Sequence, residues 1–86
     1  MNKKQLKQCH KYSWRNKKAL AESKNAGCFY CLKIYDAKLI KEWVDKGRTA
    51  LCPCGIDAVL PDKLVKLNKK LLKEMHDYWF SIARMV

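Results

Sequence analysis

Two pairs of closely spaced cysteines, Cys28-Phe-Tyr-Cys31 and Cys52-Pro-Cys54-Gly55, constrain this chain more than any other feature. Each pair can present two thiolates from one tight turn, and two such turns about twenty residues apart satisfy the tetrahedral preference of Zn²⁺. Cys28, Cys31, Cys52 and Cys54 are therefore the expected metal ligands, and a structural zinc ion the expected cofactor. Gly55, directly after Cys54, suits a knuckle turn that requires a positive φ. The second pair, Cys-x-Cys, is one residue shorter than the usual Cys-x-x-Cys. Either Cys52 or Cys54 is then open to displacement, with His10, Cys9 or His76 completing the site, and His10 is held as the reserve ligand. Competing readings are four buried thiols acting as small hydrophobes, a pair of disulfides, or a redox-active Cys-x-x-Cys. The last would need Cys28–Cys31 at a helix N-terminus, whereas the residues after Cys31 read as strand.

At 86 residues the chain is expected to form a single small domain, a size at which a core alone gives marginal stability and a metal often supplements it. No apolar run approaches the roughly 18–20 residues that cross a bilayer. The first ten residues carry lysines but no apolar stretch or cleavage site, which predicts a cytoplasmic protein with reduced thiols. The odd count of five cysteines, with Cys9 left over, also opposes a closed disulfide framework.

The net charge of +11 is uneven: residues 1–25 hold eight basic side chains against one acidic, residues 26–60 five against four, and residues 61–86 six against three. A basic N-terminal segment points to an anionic partner, nucleic acid or an acidic protein surface, with Lys3, Lys4, Lys7, Lys11, Arg15, Lys17 and Lys18 as the contact residues. Only three of the nineteen basic residues are arginine, so bidentate, sequence-specific recognition is not indicated. The aromatic residues could stack on bases, but at helical spacing they read first as core.

The hydrophobic pattern predicts an α+β domain: a basic N-terminal helix over 4–24 within segment 1–25, a zinc-knuckle core over 26–60, and a C-terminal helix within 61–86. Leu32–Tyr35 and Arg48–Leu51 read as short strands. Asp36 is expected to cap a helix carrying Leu39, Ile40, Trp43 and Val44 and ending at Lys46-Gly47. Pro61 is expected to open the last helix, with Leu64, Leu67, Leu71, Met75, Tyr78, Trp79 and Ile82 on its buried face.

The segments Ser23–Cys31, Ile40–Gly47, Thr49–Asp57 and Glu74–Phe80, in that order, carry a resemblance. The chain resembles a family of small, uncharacterised bacterial cytoplasmic proteins with a treble-clef-like, zinc-ribbon-type cysteine pattern. The resemblance spans roughly His10 to Phe80 and implies that the four paired cysteines stand at the family's metal-ligand positions; it implies no activity. The family's second pair reads Cys-Pro-x-Cys-Gly, one residue longer than here. The segment after Val59 is Gly/Ser-rich in the family, and here it is Leu60-Pro61-Asp62 followed by lysines. Such departures would suit a divergent copy carried on a phage or mobile element.

Three function classes follow. The first is a non-enzymatic zinc-binding module whose basic surface contacts nucleic acid. The second is an adaptor or small inhibitor docking an acidic protein surface, with a homodimer through the last helix as a variant. The third, least favoured, is a metal-dependent nuclease drawing on His10, His76 and Asp57. Four cysteines around one zinc close its coordination sphere, and no His/Asn or His/Asp pair falls on a helix where such an enzyme needs it.

Overall fold

The computed structural model describes residues 3–81, so Ile82, named above for the last helix, lies outside them. Along the chain run α1 (Lys3–Lys11), α2 (Lys17–Ala21), β1 (Asn25–Cys28), β2 (Ile34–Asp36), a single 3₁₀ turn (Ala37–Leu39), β3 (Glu42–Val44), β4 (Thr49–Leu51), β5 (Val59–Pro61), α3 (Lys69–His76) and a π-helical turn (Asp77–Ser81). Strand β1 lies between β2 and β5 in a three-stranded antiparallel sheet, while β3 and β4 form a separate hairpin. The expected α+β class with three helices is what these elements make.

Leu71, Leu72 and Met75 of α3 share one buried core cluster with Phe29, Val59 and Leu60. Gly27 permits the close approach: a Cβ there would lie 3.1 Å from Leu67 and 3.3 Å from Leu72. Leu6 and Cys9 are the buried residues of α1, as the three-to-four-residue spacing predicts.

Three expected elements are corrected. The helix expected over 4–24 is two short helices. Ser13 turns its hydroxyl back to the His10 carbonyl at 2.7 Å, Arg15 takes a positive φ of 48°, and Asn16 starts a new helix, its carbonyl accepting from Leu20 N–H at 2.9 Å. Asn16 donates from Nδ2 to the carbonyls of Tyr12 (3.0 Å) and Val59 (2.8 Å) and accepts at Oδ1 from Ala50 N–H (3.1 Å). One buried amide thus ties the break between α1 and α2 to β4 and β5.

The helix expected over 36–47 is instead one 3₁₀ turn followed by strand β3. Asp36 does cap, accepting from the Lys38 N–H at 2.8 Å, but what it caps is that single turn. Ile40-Lys-Glu-Trp-Val44 also satisfies a strand, and antiparallel pairing of Trp43 with Ala50 decides between the two. The connection to β4 places Asp45, Lys46 and Gly47 all at positive φ, 54°, 60° and 82°, so Gly47 serves a hairpin turn and not a helix end.

The last helix starts at Lys69, eight residues past Pro61, because Leu60 and Pro61 pair with Gly27 and Ala26 as part of β5. Asp62 then binds the backbone N–H groups of Lys24 (3.1 Å) and Asn25 (2.9 Å). Asn68 is the cap of α3, accepting from the Leu71 N–H at 2.8 Å. Leu64 sits in the intervening loop, exposed, and Leu67 precedes the helix, partly buried.

Candidate metal centre

Each cysteine pair sits in a turn that leaves a strand and returns. The first turn follows β1: Cys28 N–H donates to the Lys33 carbonyl (3.0 Å) and Leu32 N–H to the Cys28 carbonyl (2.8 Å). The second follows β4: Cys52 N–H donates to Ile56 (2.9 Å) and Gly55 N–H to the Cys52 carbonyl (2.7 Å). In both, the residue after the second cysteine has a left-handed backbone, Leu32 at φ 66° and Gly55 at φ 100°. That shared bend reverses the chain and turns both sulfurs of a pair to the same side.

The two turns face each other. The four Sγ atoms lie within 4.8 Å of one another, with Cys28–Cys54 and Cys31–Cys52 each at 3.8 Å. Four thiolates about 2.3 Å from one zinc stand about 3.8 Å apart along the edges of a tetrahedron. The cluster therefore has about the size and the donor set of a four-thiolate site, and it could hold a metal ion. The missing residue in Cys52-x-Cys54 is absorbed by a tighter turn, three residues from Cys52 to Gly55 where the first takes four from Cys28 to Leu32.

Backbone N–H groups already point at the sulfurs. Tyr30 and Cys31 donate to Cys28 Sγ at 3.4 and 3.5 Å, and Cys54 donates to Cys52 Sγ at 3.5 Å. Donors so placed favour thiolate over thiol and hold the ligands in orientation. Burial opposes them. It pushes the Cys28 thiol well above the ordinary cysteine value, the N–H groups of Cys31 and Tyr30 offsetting only part of this. Cys54 is also raised, first by burial and then by its contact with Cys52.

Cys52 goes the other way. Burial is again the largest influence and acts upward, yet the Tyr35 hydroxyl and the Cys54 N–H at its sulfur, together with the neighbouring thiols, outweigh it and lower the pKa. The Tyr35 oxygen is buried and makes no hydrogen bond of good geometry. The Tyr35 hydroxyl acts on Cys52 as a nearby donor whose geometry falls short of a formed hydrogen bond. A divalent ion bound by the cluster would displace the thiol protons.

The other expected site residues stand elsewhere. His10 is not in the cluster: its ring lies 4.2 Å from Trp79 and 6.2 Å from Phe29. His76 places Nδ1 3.1 Å from the Phe29 carbonyl. Cys9 is buried in the core, where burial raises its pKa. Lys3, Lys4, Lys7, Lys11, Arg15, Lys17 and Lys18 are all solvent-exposed along α1, α2 and the break between them. Asn16 and Leu32, which organise the break and the first knuckle, carry no sequence signal of that role; Asn68 does, as an Asn directly before a Lys-Lys-Leu-Leu run.

No protein-family model, no curated protein and no solved structure matches this chain. Of the resemblance drawn from the four segments, the structure shows the cysteine pattern alone, with its four thiols at metal-binding distance. Among the described residues, no helix is long and apolar enough to cross a membrane.

Proposed function

We propose that the chain is a small non-enzymatic zinc-binding module in which Cys28, Cys31, Cys52 and Cys54 hold one structural Zn²⁺ and the basic N-terminal surface binds nucleic acid. The 3.8 Å spacing of the paired sulfurs carries the metal half of this reading. Two knuckles hung on β-strands favour a zinc-ribbon arrangement over a treble clef, since no helix begins at the second pair. With four thiolates the coordination is closed, which suits a staple and leaves no open position for a nuclease.

Exposed charge supports the nucleic-acid half. Lys3, Lys4, Lys7, Lys11, Lys17 and Lys18 make no ion pair among the described residues, whereas Lys63 and Lys73 are neutralised by Glu22 and Asp77. An unneutralised lysine stripe attracts a polyanion through counterion release. Changing Lys3, Lys4, Lys7, Lys11, Lys17 and Lys18 together to alanine tests it. Affinity for labelled oligonucleotides and its dependence on salt should both fall sharply while the thermal midpoint is kept. Undiminished binding at physiological salt would refute the assignment. An acidic protein partner is the alternative, and a single stoichiometric protein in pull-downs with no oligonucleotide binding would select it.

A further inference from the structure

The break between α1 and α2 leaves Trp14 more than half exposed, at 57%, although tryptophan is among the most costly side chains to leave in water. The indole is not idle. The Arg15 guanidinium lies 4.2 Å from its ring centroid, and the same guanidinium is tethered by Nε to Asp45 Oδ2 at 3.1 Å. Asp45 also receives Arg48, with Nη2 3.6 Å from Oδ1 and Nε 3.3 Å from the backbone carbonyl.

Two of the three arginines in a lysine-rich chain thus meet on one carboxylate. Half of their charge is neutralised, and N–H donors are left over for an anion. The backbone is bent to bring this about: Arg15 and Asp45 both sit at positive φ, a conformation that costs a non-glycine residue roughly 1–2 kcal/mol. Arg15 N–H is pinned to Thr49 Oγ1 at 2.8 Å. Beside the indole opens a cleft of about 240 Å³ bounded by His10, Lys11, Ser13, Trp14 and Asp57. Asp57 is exposed and has no partner among the described residues.

We infer that this patch receives an unpaired base of a single-stranded nucleic acid: the base stacks on Trp14, the neighbouring phosphate sits on the Arg15 and Arg48 guanidinium groups, and Asp57 accepts hydrogen bonds from the base's amino edge. The chemistry divides the patch in the same way. A carboxylate in the cleft repels phosphate and welcomes the exocyclic amino group of guanine, cytosine or adenine, which thymine lacks. The arginine pair outside the cleft takes the anion. Stacking on an exposed aromatic is available only to a base that is not already stacked in a duplex.

This inference rests on the nucleic-acid reading above, and one experiment separates their failures. Fluorescence anisotropy with end-labelled ten-nucleotide probes, single-stranded RNA, single-stranded DNA and duplex DNA, is measured for the full chain, Trp14→Ala, Trp14→Phe, Asp57→Ala and the six-lysine variant. Trp14→Ala should weaken single-strand binding about tenfold or more without lowering the thermal midpoint or the salt slope. Trp14→Phe should restore most of the loss. Asp57→Ala should erase a preference for guanine-containing over all-thymine strands. The RNA and DNA arms tell which backbone is taken, and either result supports the inference. Oligonucleotide binding that is lost with the lysines but unchanged in Trp14→Ala, or equal on duplex and single strand, overturns the patch and leaves the general reading standing. No binding of any probe overturns both.

Discussion

Gly55 offers the sharpest test of how the second knuckle works. Its φ is +100°, on the left-handed side of the map that favours glycine, and a Cβ placed there would meet nothing within 4 Å. Gly55→Ala therefore adds no clash, and its whole cost is backbone conformation, about 1–2 kcal/mol. Ordering of the unfolded chain returns about 0.4–1 kcal/mol of that. The net loss is about 1 kcal/mol, a fall in thermal midpoint of roughly 4–8 °C for a chain of this size.

Because this bend aims Cys52 and Cys54 at one point, part of the strain should be relieved by opening the knuckle. Metal affinity, measured by competition with a chelator, should then drop severalfold. D-alanine at the same position, introduced by chemical synthesis, accepts the positive φ and should match or exceed the glycine protein in both assays. Gly47→Ala is the control: its φ is +82° with nothing within 4 Å, but it lies in the β3–β4 turn, so stability should fall and metal affinity should not. The reasoning fails if L- and D-alanine at position 55 behave alike, or if Gly47→Ala lowers metal affinity as much as Gly55→Ala.

Asn16→Ala removes three hydrogen bonds, two of them buried, and strands the Ala50 N–H and the Val59 carbonyl. Net bond losses of about 1 kcal/mol each, with unsatisfied groups added, predict a destabilisation of about 3 kcal/mol or more in urea denaturation. Cys9→Ala deletes a buried thiol outside the cluster and should cost some stability while leaving metal content unchanged, as elemental analysis would report. pH should act in opposite senses on the two forms of the protein. The metal-bound form should lose its ion and its stability as pH falls, because protons compete for the thiolates. The metal-free form carries Cys9, Cys28 and Cys54 thiols raised above their unfolded value. Unfolding then releases protons, so its stability is full below the ordinary thiol pKa and declines as pH rises through the folded values. Thermal melts across pH, with and without chelator, check both signs.

The cysteine cluster was the most legible part of the sequence, because ligand chemistry at short spacing is a local signal. Cys28-x-x-Cys31 and Gly55 announced two knuckles, and even the short second pair falls within the cluster. Strand β4 and the capping role of Asp36 were legible for the same local reason. Elements settled by distant partners were not. Strand β3 satisfies a helical stripe as well as an alternating one, and only its pairing with Ala50 decides. Pro61 reads as a helix opener until β1 is beside it. Asn16 looks like one more polar residue of an amphipathic helix, and its work is done by Val59 and Ala50, more than thirty residues away. Leu32 at positive φ carries no signal at all, since glycine is the residue that bend favours.

The central claim is that the two knuckles close on a single ion. Native mass spectrometry of the purified chain, beside the Cys28→Ser and Cys54→Ser variants, tests it most directly. The predicted result is one zinc per folded chain, lost in both variants together with cooperative thermal unfolding. A well-folded chain with no bound metal, equally stable in the serine variants and in chelator, would contradict it and return the four cysteines to the role of ordinary thiols.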